Sequence, residues 1–336
     1  MSVDVEVLQA QVERWAGDTF GPGVTVAGLE PMPGHAGLSF GFQVLDGAGR
    51  CMEALVMRMP PKGVRRRGNT DVLRQVPLLL ALRAAGVPVA EMRYWSDDER
   101  WFEVPFFMVG RLPGSTYSAL APDPSITPEA VFTQAVEALA AVHTFDWQRR
   151  LPAWEPIRDL GDEIRFWDPI LAKAAEPEWV KMGEEARDLL LASIPSAPTV
   201  GVFHGDFQTA NILFHDGRLV AVIDWEISGM GAQLLDVGWL FMMNDPASWH
   251  DDGRPRVVPP FPVLLDRYCA ASGRTVTLDN VAWYRALSGY RFGVISGLNV
   301  MLHRTGKRPD PAWEDIALSV PALFGRACTL LRGASD

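Results

Sequence analysis

The segment between Val200 and Leu240 constrains this chain more than any other. Three short apolar runs in it, Val200–Phe203, Ile212–Phe214 and Leu219–Ile223, have the length and side-chain types of strands. The last two flank His215-Asp216-Gly217-Arg218, and Asp-Gly between apolar runs is a strong local hairpin signal. Strands joined in this way antialign, so Asn211 and Asp224 emerge together at the open end of the hairpin. Asp206 precedes that end by a short irregular segment. A carboxylate, an amide and a second carboxylate are therefore expected to converge on one spot.

Phosphoryl transfer needs such a set. One carboxylate orients an attacking hydroxyl and accepts its proton. An amide and another carboxylate offer hard oxygen ligands to magnesium, which bridges nucleotide phosphates. The spacing His204-x-Asp206-x-x-x-x-Asn211 matches the catalytic loop of protein kinases, with glycine and not arginine after the histidine. The metal aspartate stands in Asp224-Trp225-Glu226 where those kinases carry Asp-Phe-Gly. With these two changes the segment resembles the aminoglycoside phosphotransferase and choline kinase-like family of small-molecule kinases. Asn211 and Asp224 lie 13 positions apart across the hairpin, which makes the paired motif fairly specific.

Composition bounds the alternatives. A chain of 336 residues, 48% hydrophobic and 21% charged, is long enough for about two lobes that each bury a core. The net charge of -10 argues against a general nucleic-acid binder. Three scattered cysteines without CxxC spacing speak against a disulfide framework or a structural zinc site. Met1 to Trp15 reads as an amphipathic helix and not as a leader, and no apolar run approaches the roughly 20 residues that span a bilayer. A cytoplasmic location without membrane contact is expected.

The resemblance covers roughly residues 20 to 245. It implies an α+β, protein-kinase-like two-lobe fold, with a small β-rich nucleotide-binding lobe (1–109) and a larger, mainly helical lobe (110–336). Short β-favouring runs and glycines alternate over residues 28 to 59, and a glycine-rich turn around Gly34, Gly37 and Gly41 can lie over a triphosphate through its backbone N–H groups. Gly37 and Ser39 are the nucleotide contacts expected there. No Walker A motif is present. The resemblance places Arg58, in Val56-Met57-Arg58, where the family carries a basic residue for the α- and β-phosphates. It places Gln75 where the next helix normally carries a glutamate paired with that residue. A glutamine can hydrogen-bond a guanidinium but cannot neutralise it.

Val104 to Gly114 resembles the family's inter-lobe linker, whose backbone around Val109 to Arg111 would meet an adenine edge. From Thr127 the apolar period becomes helical, and Pro128 suits a first turn. His143 reads as a packed histidine and His204 as a brace of the catalytic loop, and the resemblance implies that Asp236 braces the same loop. Glu226 reads equally as a second-metal ligand or as a solvating group of the cleft. Residues 244 to 260 read as a loop. Tyr284, Tyr290, Arg291 and Trp313 are candidate acceptor-site side chains, and acids at 155 to 163 and 244 to 252 would suit a cationic acceptor such as an aminoglycoside or choline, or form solvated faces.

The implied activity is ATP- and magnesium-dependent transfer of a γ-phosphoryl group to a small hydroxylated molecule, with Asp206 as base and Asn211 and Asp224 on the metal. Two other classes are open. One is a nucleotide-binding pseudoenzyme, motivated by Gln75 and the uneven spacing of the glycine-rich loop. The other is a non-haem iron oxygenase using His204 and Asp206 with His250 or His303. The oxygenase requires strands after the motif, where this chain turns helical, and it gives Asn211 and Asp224 no role.

Overall fold

In the computed structural model the described residues are 4–32, 38–117, 125–250 and 258–333. Helix α1 (Val5–Phe20) starts at Asp4, whose side chain accepts from the N–H groups of Glu6 and Val7. Strands β1 (Thr25–Pro31), β2 (Leu38–Leu45) and β3 (Cys51–Met59) follow, then helix α2 (Gln75–Ala84) and strands β4 (Met92–Ser96) and β5 (Phe106–Gly110). They form one antiparallel sheet in the order β1-β2-β3-β5-β4. The period of two decides what each face carries. Phe40, Phe42 and Val44 of β2 and Leu55, Met57 and Met59 of β3 are buried in one core with Leu8, Val12 and Trp15 of α1. Arg58 alternates with those β3 residues and so lies on the opposite face, where it pairs in register with Ser39 and Phe107.

The helical part contains a short strand β6 (Ser115–Thr116) and helices α3 (Pro128–His143), α4 (Trp147–Arg150), α5 (Leu160–Arg165), α6 (Asp168–Leu171) and α7 (Pro177–Ala192). Strands β7 (Val200–Phe203), β8 (Ile212–His215), β9 (Arg218–Val222) and β10 (Gly229–Ala232) come next, then α8 (Leu234–Met243), α9 (Phe261–Ser272), α10 (Leu278–Arg304), α11 (Ala312–Ala317) and α12 (Val320–Leu331). Thr127 caps α3, with Pro128 in its first turn. Strands β8 and β9 form the expected hairpin, and Asp216 and Gly217 in its turn both have positive φ, 48° and 72°. β7 pairs with β10, a strand the sequence did not announce. Helix α10 is buried on nearly every side, and α8 crosses it so closely at Gly238 that a Cβ there would stand 2.5 Å from the Tyr284 backbone. Among the described residues no helix is long and apolar enough to cross a membrane.

Candidate active site

The chain leaves β7 at His204-Gly205-Asp206, and α8 holds this turn in place. Asp236 is fully buried in the first turn of α8 and accepts the backbone N–H groups of His204 and Gly205, each at 2.7 Å. It also accepts from His143 Nε2 at 3.2 Å, while His143 Nδ1 meets the Tyr268 hydroxyl at 2.8 Å. Burial alone would raise the Asp236 pKa, but the hydrogen bonds it accepts from the His143 side chain and the His204 backbone help to outweigh it, and the carboxyl lies below its usual range. Burial pushes His143 down. The pair thus rests as carboxylate and neutral imidazole.

Gly205 has φ +89°, and a Cβ there would stand 2.6 Å from the Ile227 carbonyl oxygen, so only glycine fits. His204 accepts the Asp206 N–H at Nδ1 (3.2 Å), which leaves its Nε2–H to donate to the Ile223 carbonyl at 2.8 Å. Both ring nitrogens are occupied, so His204 braces the turn and has no nitrogen to offer iron. His303 Nδ1 likewise accepts the Asp310 N–H at 2.9 Å.

The open end of the hairpin assembles the acid–amide set. Asn211 Nδ2 donates to Asp206 Oδ2 at 2.8 Å and to the Asp206 carbonyl at 2.9 Å. Gln208 Nε2 donates to Asp206 Oδ1 at 2.6 Å, a brace the sequence reading missed. Burial raises the Asp206 pKa above the ordinary carboxylate value, against the lowering effects of His204 and the Asn211 amide. The Ile223 N–H donates to the Asn211 carbonyl at 2.9 Å, and Asp224 follows at φ +63°, an uncommon conformation for a residue with a side chain. Asp224 Oδ1 is buried and has no hydrogen-bond donor; Arg58 Nη1 approaches it at 3.1 Å as an ion pair. The available donors suit magnesium. The Asp224 carboxylate is a hard acceptor short of partners, and Asn211, with its nitrogen committed to Asp206, has its amide oxygen to give.

Arg58 is tied to the Asp-Trp-Glu turn by both ends of its fork. Nη2 donates to Glu226 Oε2, and Nη1 faces Asp224. Burial raises Glu226 to about 7; Arg58 acts against this rise, and the negative charges of Asp224 and Asp206 add to it. Gln75 stands at the start of α2, 2% exposed, and its Nε2 has no hydrogen-bond partner. Its neighbour Arg74 does what the sequence did not disclose. Arg74 donates to the carbonyls of Glu226 (2.9 Å) and Ser228 (2.5 Å) and pairs with Glu155 at 2.8 Å.

The other expected contacts fall less tightly around this cluster. Gly37 lies outside the described residues, and Ser39 is opposite Arg58 on β2. Val109 is inside β5, between β3 and β4. The N–H groups of Gly110 and Arg111 donate to Glu91 and Ala54 carbonyls at 2.9 and 2.8 Å, and the Arg111 side chain pairs with Glu30. Those two N–H groups are committed to the sheet, so an adenine edge would have to use other backbone atoms of the segment. Tyr284 and Tyr290 are core residues of α10, 2% and 0% exposed, and not lining residues. Arg291 is buried too, with Nε 3.3 Å from Glu163 and Nη2 3.5 Å from the Gly205 carbonyl. Three of the four acids at 155 to 163 are engaged, Glu155 with Arg74, Asp159 capping α5 and Glu163 with Arg158 and Arg291, while Asp162 is exposed with Arg165 3.8 Å away. Little of that charge is left for a cationic acceptor.

Comparison with known proteins gives a consistent picture. A family model described as the phosphotransferase enzyme family (APH) matches residues 32–284. Acyl-CoA dehydrogenase family member 11 of Gallus gallus is 28% identical over 259 residues, covering 73% of this chain and 33% of that protein. The chain therefore spans about a quarter to a third of the length of the curated relatives it matches. An aminoglycoside phosphotransferase-like protein of Ralstonia eutropha superposes with a TM-score of 0.75 at 22% identity, over 99% of both chains. The aminoglycoside phosphotransferase APH(4)-Ia, in a ternary complex with ADP and hygromycin B, superposes at 0.63 with 17% identity, over 97% of this chain and 100% of that one. These likenesses establish the α+β, protein-kinase-like fold.

Proposed function

Because this chain belongs to the phosphotransferase enzyme family, we propose that it moves the γ-phosphoryl group of ATP, with magnesium, to a hydroxyl of a small molecule. The observation that carries this proposal is the hydrogen-bonded set of Asp206, Asn211 and Gln208 at the open end of the hairpin, beside Asp224. In this scheme Asp206 is the base. Its two oxygens are held by neutral amide donors, which fix the carboxylate plane, and each keeps a lone pair for an acceptor hydroxyl. Its raised pKa brings it closer to the proton it must take.

Asn211 and Asp224 would hold magnesium, which when bound neutralises charge on the transferring phosphoryl group. Arg58 would bind the α- and β-phosphates from β3. We place the boundary between a nucleotide lobe and an acceptor lobe at residue 109, inside β5. ADP in the APH(4)-Ia complex supports an adenine nucleotide, and hygromycin B there supports a hydroxylated acceptor. The dehydrogenase named in the curated relatives plays no part in this scheme.

The test is nucleotide binding by thermal shift with ATP or GTP, with and without magnesium, on the wild type and Asp224→Ala. A magnesium-dependent stabilisation lost in the variant supports the metal assignment and justifies a screen of hydroxylated acceptors. Binding without turnover on any acceptor would favour a pseudoenzyme. No stabilisation by any nucleotide would end the kinase scheme.

A further inference from the structure

The geometry points to Glu226 as the residue that positions Arg58, in place of the glutamate that α2 lacks. This inference rests on the phosphotransfer function proposed above. A guanidinium on a strand has several rotamers, and a phosphate site needs one of them. An anchoring carboxylate selects it.

Four observations assign that carboxylate to Glu226. Arg58 Nη2 donates to Glu226 Oε2, and both side chains are largely buried, at 14% and 13% exposure. Gln75, at the α2 position, is neutral, and its amide nitrogen has no hydrogen-bond partner among the described residues. The other acid on Arg58, Asp224, is the one the proposed metal would claim. Finally, the backbone that carries Glu226 is itself anchored. Arg74 holds the Glu226 and Ser228 carbonyls and is in turn paired with Glu155 and set against Trp154, whose Nε1 donates to the Arg74 carbonyl at 2.6 Å. The start of α2 thus still supports the basic residue of β3, but by a longer route: from Arg74 to the turn, and from the turn's carboxylate to Arg58.

The experiment is a double-mutant cycle on the full chain with Arg58→Met and Glu226→Gln, reading magnesium–ATP affinity by calorimetry. The wild type decides the premise: if it binds no nucleotide, the phosphotransfer proposal itself fails. If it binds, Glu226→Gln is expected to weaken binding about tenfold in the wild-type background and less than about twofold beside Arg58→Met, because the lost interaction is the one with Arg58. An equal loss in both backgrounds would mean that Glu226 acts on the metal or on the fold, and it would overturn the inference. Tighter binding by Glu226→Gln would overturn it as well, since the pair would then be blocking the site. Should Glu226→Gln not fold, the same cycle with Glu226→Asp, which keeps the charge and shortens the reach, is read by the same criteria.

Discussion

The two sides of the proposed active site are built differently. On the catalytic-loop side, Asp206 is held by Gln208 and Asn211, two and five residues away, and the turn is fixed by charge-assisted bonds from His204 and Gly205 to Asp236. On the proposed phosphate side, Arg58 of β3 finds its acid 168 positions away in Glu226, and Arg74 closes the structure from a third element. The first side lies within one stretch of chain, from His204 to Asp236, with His143 added from α3. The second exists only once the sheet, α2 and the Asp-Trp-Glu turn have assembled. Damage should therefore abolish chemistry on the one side and loosen nucleotide binding on the other.

The sharpest way to break this contrast is Asp206→Ala. Transfer is expected to fall by about 10²–10⁴-fold, the usual worth of a general base, with nucleotide affinity retained. Single-turnover rates beside a binding isotherm check it; a variant that keeps near-normal transfer would remove Asp206 from the mechanism. Next in size is Asp236→Asn, which replaces the anion under two backbone N–H groups and His143 by an amide. A loss of about 3 kcal/mol in unfolding free energy is expected, because charge-assisted bonds in a fully buried site are lost or reversed. Urea denaturation measures it, and a loss under about 1 kcal/mol would mean that α8 does not brace the turn.

These sites differ in how far the sequence disclosed them. The strands Val200–Phe203, Ile212–His215 and Arg218–Val222, and the turn between the last two, follow from short-range pattern and turn chemistry, so they were legible. So was the set Asp206, Asn211 and Asp224, because one hairpin fixes its relative position. Strand β10 was not. Its Gly229 and Gly231 have low strand propensity, yet they make a flat surface for the Phe203 ring, which a Cβ would approach to 2.8 and 3.1 Å. Packing chose that strand, and propensity opposed it. The partnership of Arg58 with Glu226 was equally hidden, since no local rule links residues so far apart. Tyr284 and Tyr290 were misplaced for a related reason: α10 is buried all round, so a polar aromatic on it does not mark an outward face.

Acid sensitivity gives a subtler probe of the braced side. His143 has its pKa lowered by burial, so as pH falls below its ordinary 6.5 the unfolded chain takes up a proton that the folded chain refuses. Stability should then decline by up to about 1.4 kcal/mol per pH unit until the folded imidazole protonates. Asp236, also lowered, adds its loss only below its ordinary 3.8, as pH falls through the folded value. Denaturant unfolding at pH 7.5, 6 and 5 in the wild type and His143→Gln tests the first limb. The variant should be less stable at pH 7.5 but show a flatter decline; parallel curves would clear His143 of that role.

The smallest expected effect is the most informative about the phosphate side. Gln75 is buried with an amide nitrogen that has no partner, so it already bears part of the cost of desolvating a polar group. Gln75→Met conserves volume and removes that group. Stability should change by less than about 1 kcal/mol, and could rise, as replacing a poorly satisfied polar side chain by an apolar one of similar shape is often neutral or better. Magnesium–ATP affinity should stay within about threefold, since Arg58 is held from the Asp-Trp-Glu turn. A tenfold loss of affinity at unchanged stability would show that Gln75 reaches Arg58 when nucleotide is bound. The two sides of the proposed active site would then be more alike than the hydrogen bonds of this structure make them, with α2 keeping a direct hand on the basic residue of β3.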